Sequence, residues 1–338
     1  MSENYPIDFV VTWVDGNDPV WQAEKAKYSP NKNADNRNVR FRDWDNMQYW
    51  FRAVEKFAPW VNKVHFVTYG HLPKWLNTNN PKLNIAKHSD FIPKEYLPTF
   101  SSQPIELNLH RIKGLAERFV YFNDDMFLLR PVKRELFFAG KDCLPTDFAI
   151  TSTISTTTKE DMMPFIKLNC VTILNGHFDK KEQMKKHFSK WVNLAYGWNA
   201  LRNLIFYGQH RFKGFANNHL AFSFLKSEYE DIWEKEYEAL ADTSSHKFRS
   251  KLDLDNWLIR YWQLTRGNFY PIGRHVKGKV YEIYNGVEQN QELFKVIENQ
   301  TMPMICINDN DNVDFEPMKE RIKQAFDKIL PEKSSFEK

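Results

Sequence analysis

The sequence predicts an α/β fold, a mostly parallel sheet flanked by helices with a helix-rich second half. Three observations carry that expectation. Short β-branched and aromatic runs alternate with helically spaced segments from Ile7 to Asp125, and the connections between them are short, as in βαβ units. From Trp198 onward, apolar spacings of three and four dominate.

Taken in order, Ile7-Asp8-Phe9-Val10-Val11-Thr12-Trp13-Val14 reads as a strand that ends in the turn-forming loop Asp15-Gly16-Asn17-Asp18-Pro19. Pro30 to Arg40 is polar and reads as a mobile loop. Met47, Trp50, Phe51, Val54 and Phe57 mark an amphipathic helix over Asp45 to Phe57, stopped by Pro59. Lys63 to Thr68 follows as a strand, and Leu83 to Ala86 is a weaker one. Pro104 to Leu115 is expected to be helical, with Gly114 as its stop, and Arg118 to Phe122 to be a strand running into Asn123-Asp124-Asp125. Phe148 to Lys190 combines a Thr-rich stretch with a Lys-rich one, and residues 148–195 are expected to form an insertion or lid within a single domain spanning 1–338. Helices are expected over Trp198 to Tyr207, Phe222 to Leu240, Leu254 to Leu264 and Val313 to Leu330.

Composition narrows the function. With 338 residues, 42% apolar, and 47 Lys+Arg against 43 Asp+Glu, the chain is not disordered. A domain of this length buries on the order of 75% of its unfolded surface. No apolar run reaches the roughly 20 residues of a bilayer span, and Met1 to Pro6 does not read as a secretory signal, so a cytoplasmic location is expected. Cys143, Cys170 and Cys306 fit neither a disulfide framework nor a zinc site and are expected to be inert thiols. A net charge of +4 does not support nucleic-acid binding; it is compatible with an anionic substrate or with peripheral attachment to an anionic membrane face.

In parallel sheets ligands sit beyond the carboxyl ends of the strands, so the loops at Asp15 to Asp18, Gly70 and Asn123 to Asp125 should converge on one crevice. Adjacent carboxylates at a strand end suit a hard cation such as Mg²⁺ or Mn²⁺, which takes one or two carboxylates plus phosphate oxygens; an acidic helix cap would use the same residues. Asp15, Gly16, Asn17 and Asp18 could form a nucleotide-binding loop, and turn chemistry would select the same residues. Glu106 and His110 stand at i and i+4 on the expected helix, with Arg111 beside them, offering an acid, a base and an anion-binding cation, or a plain surface pair. His219 and Arg249 are isolated in the sequence. Walker, dinucleotide-binding, His-Glu-x-x-His and Cys-x-x-Cys patterns are absent, which removes P-loop hydrolysis and nicotinamide redox chemistry.

Four blocks go further: Ile7 to Pro19; Arg40-Phe41-Arg42-Asp43 through Ala58-Pro59-Trp60-Val61 and Leu97-Pro98-Thr99-Phe100-Ser101-Ser102 to Phe122-Asn123-Asp124-Asp125-Met126-Phe127; Trp198 to Leu264; and Cys306-Ile307-Asn308-Asp309-Asn310 with Ile329 to Glu337. In these blocks, which cover well over half the chain, the sequence resembles the Stealth family of sugar-phosphate transferases, comprising bacterial capsular and exopolysaccharide phosphotransferases and the catalytic subunit of animal GlcNAc-1-phosphotransferase. The resemblance implies a Rossmann-like or GT-A-like sheet and transfer of a sugar 1-phosphate from a UDP-sugar to a hydroxyl of a glycan or lipid-linked glycan, releasing UMP. It places the family's catalytic residues on Glu106, Asp125, His219 and Arg249. His110, Arg111 and Asn123 are expected as substrate contacts. Asp124, Asp125 and Asp309 are the candidates for holding Mg²⁺ or Mn²⁺. Many relatives have a histidine two residues after the glutamate, where this chain has Asn108. A metal-dependent glycosyltransferase releasing UDP and a non-catalytic carbohydrate-binding protein are the competing readings.

Overall fold

The computed structural model describes residues 5–29, 42–156, 158, 160–310 and 312–338; the polar loop expected over 30–40 lies outside them. Strands β1 (Ile7–Thr12), β2 (Val64–Thr68), β3 (Leu83–Lys87) and β4 (Arg118–Phe122) run parallel in the order β3-β2-β1-β4. Phe222–Leu225 pairs antiparallel with β4 and closes that edge. The expected helix over Phe222 to Leu240 is therefore a strand followed by helices Lys226–Lys235 and Tyr237–Ser245. The pattern Phe-Ser-Phe-Leu alternates with period two, and edge pairing with Phe119 and Tyr121 overrides the helical spacing that follows.

Period two also sorts β1 between two core layers. Phe9 and Val11 face the helix Met47–Phe57, whose Trp50, Phe51 and Val54 are buried with Phe66, Phe122 and the C-terminal helix Phe315–Ile329. Each such fully buried side chain contributes roughly 1.5–3 kcal/mol. Val10 faces the other way, into a layer shared with Val67, Phe119, Tyr121 and the helix Asn256–Thr265. The segment expected as an insertion or lid enters that same layer: the helix Met163–His177 buries Ile166, Cys170, Val171 and Leu174 there. A buried charge in β1, Asp8, accepts from Asn62, the Lys63 and Ala116 amides and the His65 ring, which is why a carboxylate is tolerated in the sheet.

After β4 the chain turns at residues 123–125 and enters β5 (Met126–Leu128), which leaves the central sheet to pair antiparallel with Met304–Asn308. Gly278–Glu282 completes this second sheet. The sheet requires glycine at 278, because a Cβ there would stand 1.8 Å from the Met304 carbonyl oxygen. The Asn123-Asp124-Asp125 turn is thus clamped between two sheets. Among the described residues, no helix is long and apolar enough to cross a membrane.

Candidate active site

The loops beyond β1, β2 and β4 converge as the parallel sheet requires. After β1, Asp18 caps the helix Pro19–Tyr28 by accepting from the Trp21 amide at 2.7 Å, and Asp15 accepts from the Asn17 amide at 2.9 Å. The Asp15 amide donates to His71 Nε2 at 2.8 Å, tying this loop to the one that follows β2. That bond requires an unprotonated Nε2, in keeping with the His71 ring being held below its ordinary value by desolvation. Asp43 raises the charge density further: its carboxyl acts on both Asp15 and Asp124.

Asp125 is held by both sheets. Its carbonyl accepts from the Ile307 amide at 2.8 Å, and its Oδ2 accepts from the Cys306 thiol at 3.2 Å and lies 3.5 Å from His219 Nε2. Its Oδ1 is buried without a protein partner among the described residues. Burial alone would lower the His219 pKa, but the hydrogen bond and charge of Asp125, together with the charge of Glu106, outweigh it and hold the ring above its ordinary value. Asn123 reaches the same Nε2 at 3.4 Å. Asp124 is open to the crevice yet hemmed in by protein, and its carboxyl is pushed up to about 7 by desolvation and by the charges of Asp125 and Asp43.

Glu106, 8% exposed, is reached from β4 and β1: the Tyr121 hydroxyl donates to it at 3.2 Å and is itself 3.2 Å from Thr12 Oγ1. Desolvation raises its pKa, and the Arg249 charge, the Tyr121 bond and the His219 charge offset part of that rise. Arg249 is oriented by two donations, Nε to Gln103 at 3.3 Å and Nη2 to Ser102 at 3.2 Å, from the helix Ser102–Leu107 that also carries Glu106. Glu106, Asp125, His219 and Arg249 thus form one electrostatically linked group.

His110 and Arg111 do not join it. The helix ends at Leu107 rather than continuing toward Leu115, because the Asn108 side chain donates to the Pro104 carbonyl at 2.8 Å and to Ser244 at 3.1 Å, and a short 3₁₀ turn follows. His110 stacks on Tyr229 at 5.6 Å, and the Arg111 guanidinium lies 4.6 Å from the Trp233 ring centre. Both therefore depart from the expected i, i+4 arrangement around Glu106.

The three-carboxylate metal set is not assembled either. Among the described residues, the group of three whose ligand atoms lie within 4.8 Å of one another is Asp125, His219 and Cys306; Asp124 and Asp309 stand outside it. Asp309 is held in a fork by Arg42, at 2.7 and 3.0 Å, and by Trp44 Nε1 at 3.0 Å. Burial and the Asp125 charge push the Cys306 thiol well above its ordinary value, so Cys306 acts as a donor that orients Asp125. The unpaired Oδ1 of Asp125 fits a hard divalent cation that takes one protein carboxylate and completes its shell from phosphate oxygens and water.

Sequence reasoning missed Cys306 as a partner of Asp125, and also Tyr121, Asp43 and His71. It missed Lys167 on the helix Met163–His177, whose charge acts on His219 and on Asp255, a carboxyl raised to about 7 by burial and by Glu106. No local signal marks Lys167, which sits among core-spaced apolar residues. The neighbours of His219 in sequence, Asn218 and Leu220, line a small pocket together with Phe148, Arg274 and Lys277 among others. Its one acid, Asp147, is taken by Arg260 at 2.7 and 2.8 Å, and desolvation pushes Lys277 down to about 8.

Residues 5–33 match the family model for Stealth protein CR1, conserved region 1, and residues 40–144 match Stealth protein CR2, conserved region 2. The chain is 43% identical to the capsular polysaccharide phosphotransferase WcwK of Streptococcus pneumoniae, over 100% of both chains. It is 41% identical to the receptor polysaccharide phosphotransferase WefC of Streptococcus gordonii, over 98% of each. A solved structure of the galactosyltransferase LgtC with donor and acceptor sugar analogues aligns over 95% of this chain and 96% of that one, at 10% identity and a TM-score of 0.38, too loose a likeness to carry any inference. The chain belongs to the Stealth family.

Proposed function

We propose that this Stealth-family chain transfers a sugar 1-phosphate from a UDP-sugar to a hydroxyl of a glycan acceptor in capsule or exopolysaccharide synthesis. The observation that carries the reading is the linked group Glu106, Asp125, His219 and Arg249 at the carboxyl ends of β1 and β4. Full-length identity to capsular and receptor polysaccharide phosphotransferases supports the same class of reaction.

In this reading the acceptor oxygen attacks the sugar-side phosphorus of the diphosphate. A new oxygen–phosphorus bond forms, the bond from that phosphorus to the bridging oxygen breaks, and UMP leaves with the bonding pair. His219 takes the acceptor proton at Nδ1, since its Nε2 is engaged by Asp125: the ring is partly exposed, and Asp125 and Glu106 strengthen its basicity. Glu106 lies too deep to meet a glycan and instead acts through its charge on Arg249 and His219. Arg249, held by Ser102 and Gln103, stabilises charge growing on the nonbridging phosphoryl oxygens. Asp125 would hold a Mg²⁺ or Mn²⁺, which when bound neutralises the diphosphate. The Asp15 to Asp18 loop faces the nucleotide.

The test is incubation with a panel of UDP-sugars, a glycan acceptor and Mg²⁺ or Mn²⁺, with the freed nucleotide identified by mass. UMP is expected. Release of UDP would mean that the sugar C1–O bond is broken, and would overturn phosphoryl transfer.

A further inference from the structure

The helix Asn199–Ile205 is built inside out. Its buried residue is polar: the Asn203 amide donates to the Ala149 carbonyl at 2.6 Å and to the Trp191 carbonyl at 2.5 Å, and its oxygen accepts from the Thr151 amide at 2.8 Å. The opposite stripe carries Trp198 at the helix cap and Ile205 at its end, 87% and 76% exposed, with Leu201 and Leu204 beside them. Leu194, in the turn before, is 97% exposed. A helix that only faced water would show the reverse arrangement. Phe188, also exposed, extends this surface, its ring 6.2 Å from that of Tyr207 just past the helix.

The surroundings are basic. Residues 180–213 contain eight Lys and Arg and a single carboxylate, Glu182, although the whole chain is nearly balanced. Lys181, Lys185, Lys186, Arg202, Arg211 and Lys213 are exposed. The helix Lys180–Lys186 is fixed against the end of the apolar one, because the Lys180 side chain donates to the Phe206 carbonyl at 2.7 Å and its amide to His210 at 3.0 Å.

We infer that this face docks on an anionic lipid bilayer, with Trp198, Leu201 and Ile205 at the boundary between headgroups and acyl chains and the flanking lysines and arginines on lipid phosphates. Charge complementarity selects that occupant. A second copy of the chain would oppose the same cations to one another, whereas an anionic surface neutralises them. The inference stands on this surface and does not depend on the reaction proposed above.

The test is co-sedimentation of the full chain with vesicles of phosphatidylcholine alone or mixed with phosphatidylglycerol. Binding is expected on the mixed vesicles and should weaken as salt is raised. Trp198→Ser with Ile205→Ser should lower the partition coefficient roughly tenfold or more. Lys185→Gln with Lys186→Gln should lower it several-fold, and only on the anionic vesicles. All four side chains are exposed, so an unchanged thermal midpoint checks the fold, and UMP release with a water-soluble acceptor should be unaffected in both variants. Failure of the wild-type chain to sediment, or equal sedimentation of the Trp198/Ile205 variant, overturns the proposal. So does a lipid-free dimer that this variant dissolves, which would assign the face to a second copy.

Discussion

His219 Nε2 lies 3.5 Å from Asp125 Oδ2, so a ring from the second half of the chain meets a carboxylate that the central sheet places at the end of β4. Among the described residues Asp125 leaves its other oxygen buried and unpaired, and that asymmetry separates a carboxylate that serves a histidine from one that can also serve a cation.

Asp125→Asn should lower kcat on the order of 10³-fold, with the thermal midpoint shifted by only a few degrees, because charge is lost and shape is kept. Steady-state UMP release beside a melting curve checks this. Wild-type turnover in the variant would remove Asp125 from the mechanism.

Mn²⁺ binding provides a readout independent of turnover. Titrating the protein should deplete the electron-paramagnetic signal of free Mn²⁺, and Asp125→Asn should weaken the binding about tenfold or more. Equal depletion by both proteins would place the ion elsewhere. Cys306→Ala should weaken it much less, since the thiol orients Asp125 without ligating.

Arg249→Lys keeps the cation but loses the fork that reaches Gln103 and Ser102. A fall in kcat on the order of 10²-fold is expected. Near-normal kcat in the lysine variant would show that charge alone suffices.

His88 and His110 should make the fold acid-sensitive. Desolvation pushes both rings down to about 3, so they stay neutral in the fold, while the unfolded chain binds protons near 6.5. Their contribution is therefore present above about pH 6.5 and is lost as pH falls from there toward 3. Urea midpoints across that window should drop less steeply in His110→Phe than in the wild type; parallel curves would contradict the assignment.

Asp147 and Arg260 form a buried fork in the wall of the cationic pocket. Asp147→Ala leaves the guanidinium uncompensated and should cost about 3–5 kcal/mol by chemical denaturation. Arg260→Met combined with Asp147→Leu should recover most of it, and a double variant as unstable as the single one would refute an electrostatic origin.

The sequence by itself determined the four parallel strands, the carboxylates at the end of β4 and the family to which the chain belongs. The β-branched and aromatic run Ile7 to Thr12 reports burial on both faces that a covered parallel sheet imposes locally, and Asn123-Asp124-Asp125 ends another such run at β4. Local pattern failed at Asn108, where one side-chain amide captured the Pro104 carbonyl and turned His110 and Arg111 away from Glu106. It also mistook Phe222 to Leu225 for helix, since edge pairing is a long-range event. Asp125 is met by Cys306, 181 positions away, and Asp309 by Arg42, 267 away. Contacts across such separations are set by how two sheets and their helices pack, and no periodicity within a few residues encodes them. The exposed apolar stripe at Trp198 was legible as helical spacing, but which way it faced depended on Asn203 being drawn into the interior by three hydrogen bonds.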